Sequence, residues 1–397
     1  MPATTTNKMS SGRRLLCQVL LVLLAFSLGA SEFVVIGVES NIADSYGVSL
    51  STAGLLISAF ALTYAIMSPT LALCTGRFKR FQLLLAYSAV FCAANLAQAV
   101  APTFEVLLAS RVLIGSVSGA LLAVGVTFVP ELVDESRQSA VLSLVYGAFS
   151  VAMVIVTSAG KMVAELADWH IATWGAFVLA VVICAALIAV LPREGATDEP
   201  ATAGEQVGLL AEPQVLTAIA IFVFGVGSVY VFYGYVTPYL EQVLGLQPLE
   251  ASAALMVYGI VCFFSNLVSG WVDARYGIKA LPVVFLLQAL VLAGLWLCGS
   301  AMPVGIVIVM LVALLMYVAS VPCVSHFMRV ANERHPKALT LASSLEPTAF
   351  NVGIAFGTAV GGMVVSGPGI SQVGLVGAVF SIVAIVFVML TLRFARK

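Results

Sequence analysis

The feature that most constrains this chain is a run of about twenty apolar residues, repeated again and again. A helix rises about 1.5 Å per residue, so twenty residues match the roughly 30 Å hydrocarbon core of a bilayer. Twelve such runs lie near residues 15–38, 51–74, 81–101, 103–129, 138–164, 170–192, 214–240, 250–272, 279–299, 303–326, 338–365 and 370–392. Lipid supplies no hydrogen-bond partners, so a spanning segment must satisfy its backbone within a helix or a closed barrel. Composition agrees: 61% of residues are apolar and only 9% charged, against about 25% charged in soluble domains. The expected fold is an all-α membrane protein with twelve transmembrane helices. Arg13-Arg14 followed by Leu15 to Ala30 has the outline of a signal peptide. The apolar stretch resumes at once in Phe33-Val34-Val35-Ile36, so an uncleaved first span is expected.

Lys and Arg give the orientation, because they concentrate in cytoplasmic loops. Under a twelve-span count, Lys8, Arg13, Arg14, Arg77, Lys79, Arg80, Arg137, Arg193, Arg275, Lys279, Arg329, Arg334, Lys337, Arg393, Arg396 and Lys397 all fall on one side. The opposite loops carry acids such as Asp44, Asp168, Glu241 and Glu250. Both termini are therefore expected in the cytoplasm, and the protein in a cell inner membrane. The longest polar stretch, 193–213, divides the chain into six-helix halves, 1–192 and 214–397. It is expected to be a cytoplasmic linker.

Several function classes are excluded or disfavoured. A formal charge of −1 provides no basic field for nucleic acid. Seven cysteines are scattered through apolar runs without CxxC spacing, and three lone histidines form no evident site, so no metal or other cofactor is expected. There is no GxxxxGK[ST] loop for ATP and no HExxH. Nothing resembles catalytic machinery, so the chain is not read as an enzyme.

Local motifs add a resemblance. Ser31-Glu32-Phe33-Val34-Val35-Ile36-Gly37, leading to Asn41-Ile42-Ala43, resembles the first span of the sugar-efflux and arabinose-efflux-like branch of the major facilitator superfamily. That branch belongs to the drug:proton antiporter family with twelve spans. Leu107, Arg111, Val112, Gly115 and Gly119 are similar to the fourth-helix motif, with Ile114 where Gln is often seen. Gly270-Trp271-Val272-Asp273-Ala274-Arg275-Tyr276-Gly277 resembles the loop motif between spans 8 and 9, its Asp displaced by one place. The first-half loop, Leu71 to Arg80, keeps the basic end but lacks the acid and motif glycines. In the fifth span Met153, Val156 and Ser158 stand where Asn, Gly and Pro are common, while Gly160 fits. The resemblance implies the two-halved major facilitator fold, alternating access and proton coupling, in which Arg111 would take part.

Charges inside spans are costly, about 2.5–3.5 kcal/mol each on insertion scales. Glu32, Arg111, Lys161 and Glu346 stand out. Glu32 is read as a proton-binding carboxylate or a substrate acceptor, the alternative being a helix-end acid near the outer interface. Glu346 is read as a second proton-coupling carboxylate, because Pro347 removes a backbone donor and can bend span 11 beside it; the alternative places Glu346 at the cytoplasmic interface. Arg111 needs carbonyls, a carboxylate or the cavity, for proton coupling or for structure alone. Lys161 either snorkels to the outer face or meets Glu346 across one cavity. Phe232, Tyr235 and Tyr239 share a face if span 7 is one continuous helix, and suit stacking on a solute or an aromatic belt. Asn95, Asn266 and Asn351 add amides to the candidate substrate site. Gly353, Gly357 and Gly361 recur every four residues and suit close helix contacts. The expected function is proton-coupled antiport that exports a sugar or drug-like solute by alternating access. The alternative is an uncoupled facilitator or an importer of a small polar metabolite. The partners are then the solute, protons and lipid, with a monomer expected.

Overall fold

The computed structural model describes residues 10–75, 78–192, 208–335 and 339–395. Lys8, Arg77, Arg193, Lys337, Arg396, Lys397 and residues 193–207 of the linker lie outside them. The described chain is helical: α1 (Ser11–Tyr46), α2 (Leu50–Thr75), α3 (Arg80–Ala99), α4 (Phe104–Val126), α5 (Val129–Leu132), α6 (Glu135–Leu166), α7 (Trp169–Val190), α8 (Pro213–Tyr233), α9 (Val236–Gln242), α10 (Pro248–Tyr276), α11 (Leu281–Cys298), α12 (Val304–Leu315), α13 (Ser320–Arg334), α14 (Leu339–Ser366) and α15 (Val373–Phe394).

Eleven stretches among the described residues are long and apolar enough to cross a membrane. One of them, Pro248–Cys298, has 51 residues, which would rise about 75 Å as a single helix, more than twice the hydrocarbon thickness. It turns back at Gly277, whose φ of 57° suits glycine, through a short 3₁₀ turn. It therefore supplies two crossings, and the count is twelve.

Local chemistry starts and stops these helices. Ser10 accepts from the backbone N–H of Arg13, Thr103 from Val106 and Asp168 from His170, each as an N-cap. Gln247 and Glu250 form a reciprocal capping box at the start of α10. Pro213 and Pro248 open α8 and α10, and Pro282 lies in the first turn of α11. The outer surface of the bundle is apolar, with Leu62, Ile66, Leu297 and Met363 all at least half exposed. That is the surface lipid requires.

Each half builds its own core. In the first, α1 packs on α6 and α7, and α2 on α4; in the second, α8 packs on α14 and α15, and α10 on α12. The stripe of Gly353, Gly357 and Gly361 lies against α8: a Cβ on Gly357 would sit 2.5 Å from the Gly227 carbonyl oxygen. The spacing thus serves packing inside the second half. Three pairs join the halves among the described residues: α2 with α14, α6 with α10 and, less extensively, α1 with α9.

Several spans are broken, and polar groups satisfy the exposed backbone at the breaks. Between α12 and α13, Ser265 Oγ accepts from the Tyr317 N–H at 2.9 Å. Ser269 Oγ accepts from the Val321 N–H and donates to the Val318 carbonyl, both at 3.0 Å. Without these two serines the break would leave buried donors unpaired in an apolar setting.

Candidate functional site

The inner face of α1 organises the site. Val38 leaves helical geometry (φ −111°, ψ 16°), which bends the helix. Arg111 of α4 is fully buried against this helix. Its guanidinium donates to the carbonyls of Ser31 (2.5 Å), Glu32 (3.1 Å) and Leu56 (3.1 Å), and its centre lies 4.5 Å over the Phe60 ring. The fork geometry of arginine suits several carbonyls at once. Arg111 therefore ties α4 to α1 and α2, and its cation lies close enough to Glu32 to act on it.

Glu32 is nine-tenths buried, and among the described residues its carboxylate has no hydrogen bond or ion pair. Across the bundle from it lie the phenols of Tyr230, Tyr233 and Tyr317 in the second half. These belong to an aromatic cluster. Tyr233 stacks on Tyr258 with centroids 5.1 Å apart, Tyr317 on Phe350 at 5.5 Å, and Tyr230 meets Tyr233 and Phe350 edge-on. A bare acid from one half thus faces a wall of rings from the other.

The amides take different places. Asn95 is fully buried beside Glu32, accepting from Ser31 Oγ (2.7 Å) and donating to the Phe91 carbonyl (2.9 Å), so it holds α3 to α1. Asn266 donates to Ser150 Oγ at 3.2 Å and so bridges α10 and α6. Asn351 donates to the Pro347 carbonyl at 3.0 Å, while its buried Oδ1 has no partner among the described residues. Glu346 lies against Ser320 and Cys323 of α13. Helix α14 runs on through Pro347.

Lys161 does not meet Glu346. It is buried at the end of the bundle where α1 stops and α2 starts, the Tyr46 end. There Nζ pairs with Glu165 (2.7 Å) on its own helix and with Glu241 of α9 (2.5 Å), and Asn41 of α1 lies at 3.4 Å. It neither snorkels nor crosses a cavity, because two acids close by satisfy its charge.

The aromatic face expected of span 7 is also absent. The helix breaks at Gly234 and Tyr235, between α8 and α9, so the i, i+3, i+7 register does not carry through. Phe232 and Tyr239 pack edge-on at 5.1 Å, and Tyr239 points to α11, where its hydroxyl reaches the Leu295 carbonyl at 3.5 Å. Tyr235 alone turns to the seam between the halves. Its hydroxyl donates to the Thr358 carbonyl (3.1 Å) and lies against Gly54 of α2 and Gly362 of α14.

The seam is closed toward the Tyr46 end. Thr237 Oγ1 donates to the Ile36 carbonyl and Ser252 Oγ to the Ser158 carbonyl, each at 2.8 Å. Along α10, contacts with α6 run from Ser252 past Gly259, against Val154, to Asn266. That is about 21 Å of helix.

With this geometry in place, the comparisons with known proteins decide the family. The sequence matches the family described as Major Facilitator Superfamily over residues 21–344. The chain belongs to that superfamily. It is 29% identical over 371 residues to the inner membrane transport protein YdhP of Escherichia coli (strain K12), covering 93% of this chain and 94% of that one. It is 24% identical over 381 residues to a probable sugar efflux transporter of Mannheimia succiniciproducens, covering 95% and 94%. Among solved structures it resembles a bacterial homologue of the human lysosomal transporter Spinster, with a TM-score of 0.78 and 14% identity over 97% of this chain and 98% of that one. It is thus a multi-pass membrane transporter of the major facilitator type rather than an enzyme, and bacterial relatives lie in the inner membrane.

One residue of this facilitator's site escaped the sequence reading. Glu39 is wholly buried, and neither carboxylate oxygen has a partner among the described residues. It falls one residue beyond the apolar run 15–38 and was not singled out. The available signal was spacing: Glu39 lies seven residues after Glu32, two turns along the same face. The aromatic cluster was missed for a different reason, since Tyr258, Tyr317 and Phe350 come from three separate spans.

Proposed function

We propose that this chain is a secondary active transporter that exports a small, moderately polar solute, a sugar or drug-like compound, in exchange for protons. The observation that carries this reading is Glu32: a bare carboxylate between the halves, beside an Arg111 cation already committed to carbonyls. An ionised carboxylate is stable there only while water reaches it, whereas a protonated one tolerates closure. Proton binding that differs between the two access states is what couples a gradient to a conformational cycle. Arg111 sets the position and field of Glu32. Glu346, with Asn351 one turn along, forms a second polar station in the other half.

Solute would bind between Glu32 and the rings of Tyr230, Tyr233, Tyr258, Tyr317 and Phe350. Aromatic faces favour sugar rings and planar drugs, and phenol hydroxyls give hydrogen bonds. The relative named as a probable sugar efflux transporter supports export of such a solute. Orientation follows the basic residues, which apart from Arg111 and Lys161 fall on one side under the twelve-span count. That side is cytoplasmic, with both termini, and the Tyr46 end is outside. The halves 1–192 and 214–397, joined by the 193–213 linker, then rock as units in a monomer, and the seam described above is the closed outer gate.

The test is transport in proteoliposomes, after a thermal-shift screen of sugars, nucleosides and drugs has found the solute. Movement up a solute gradient should collapse when a protonophore is added. Accumulation that persists with the pH gradient abolished would overturn the antiport reading in favour of a different energy source.

A further inference from the structure

We infer that Glu39 is a second proton site, which holds a proton only while the Tyr46 end of the bundle is closed. Glu39 is 0% exposed and lies one residue beyond the bend at Val38, and both its oxygens are without a partner among the described residues. The surroundings supply no charge to offset an anion. Tyr235, from the break between α8 and α9, is the titratable group that faces it. Its hydroxyl is already given to the Thr358 carbonyl. Helices α2 and α14 contribute Ser51, Gly54 and Gly362 around that phenol, none of which titrates.

Among the described side chains, the charged groups on the elements that pack against α1 are engaged elsewhere or face outward. Lys161 of α6 is held by Glu165 and Glu241. Arg111 of α4 is held by carbonyls, and Glu105 of the same helix is exposed. His170 of α7 is stacked on Trp169 and bonded to Asp168, and Glu131 of α5 meets Arg80. A metal cation would need a shell of several oxygens, and among the described residues no group of three or more His, Cys, Asp or Glu side chains comes together to supply one. A proton needs none. The buried acid is therefore the neutral carboxylic acid in this state, since an unpaired charge in such a site costs far more than protonation.

The seam explains how the proton comes and goes. Thr237 on Ile36, Tyr235 against Gly54 and Gly362, and Lys161 on Glu241 all seal the end at which Glu39 sits. Opening these contacts wets Glu39 from that same end. A proton taken up there leaves by the way it came, so it is not carried across. Acid on that side instead favours the closed seam, by as much as about tenfold in the closed-to-open ratio per pH unit for one proton. The inference does not depend on proton coupling through Glu32.

The experiment is a spin-label distance measurement across the seam, with Leu166→Cys on α6 and Leu249→Cys on α10 in a Cys74→Ser, Cys298→Ser background. Both leucines are exposed. Between pH 8.5 and 5.5 the short-distance population should rise at least tenfold relative to the long one. Glu39→Gln, and the apolar Glu39→Met, should keep the short distance at both pH values. The inference is overturned by a ratio in the unsubstituted labelled protein that changes less than about twofold. It is equally overturned by Glu39 variants that keep the full pH response. The first of these needs no variant at Glu39 to fold.

Discussion

Substituting Glu241 by Gln removes one charge of the seam and leaves its shape. In the closed state Lys161 is buried, with its Nζ 2.5 Å from Glu241, whose side chain is 19% exposed. The pair with Glu165 is within one helix, four residues away, and so survives opening. Only the Glu241 pair is specific to the closed seam. Exposed pairs contribute about 0.2–1 kcal/mol, while breaking a fully buried one costs about 3–5 kcal/mol. With one partner buried, one partly wetted and a second acid still holding the lysine, about 1–3 kcal/mol is expected. That corresponds to roughly 5–150-fold in the closed-to-open ratio. The reporter is Ser252→Cys in a Cys298→Ser background, since Ser252 is buried on the Ser158 carbonyl when the seam is closed. The labelling rate with a membrane-impermeant maleimide follows the open population and should rise by that factor in Glu241→Gln. A rate within twofold of the Glu241 parent would refute the reasoning, because the ion pair would then carry no preference for either state.

Three further outcomes follow from particular contacts. A Cβ on Gly54 would collide with the Tyr235 hydroxyl oxygen, so Gly54→Ala should cost the closed state about 1–3 kcal/mol by overpacking. The same labelling assay should show this, with recovery when Tyr235→Ala is added. Asn95→Ala removes the partner of Ser31 and leaves a fully buried space; it should cost about 1–3 kcal/mol of stability for a buried hydrogen-bond partner lost, read as a lower melting temperature in detergent. Outside the spans, the backbone N–H of His170, and then its ring, hold the Asp168 carboxyl below the usual range. A depressed carboxylate stabilises above its unfolded value and loses that contribution as pH falls through the folded one. Asp168→Ala should therefore lower the melting temperature at pH 7, as loss of an N-cap of about 1 kcal/mol does, and the gap should narrow in acid.

The fold was legible because it rests on counting: apolar runs and their lengths. Glu32 and Arg111 were legible as charges that lipid would not tolerate without a reason. What stayed hidden depends on breaks and on partners distant in sequence. Gly234-Tyr235 reads as continuous helix in a window of apolar residues, so Phe232, Tyr235 and Tyr239 seemed to share a face. Lys161 read as a snorkelling side chain because Glu241 lies 80 positions away and looked like a loop acid. Glu39 was not picked out at all, since the bend at Val38 beside it leaves no mark in hydropathy.

The central claim is that Glu32 exchanges the proton that drives the solute. The most direct measurement is solute accumulation in proteoliposomes driven by an imposed pH gradient, with the parent protein and Glu32→Gln compared at equal incorporation. The parent should accumulate solute against its gradient, and Glu32→Gln should lose that while still exchanging solute at equilibrium. Equal pH-driven accumulation by the two proteins would contradict the account.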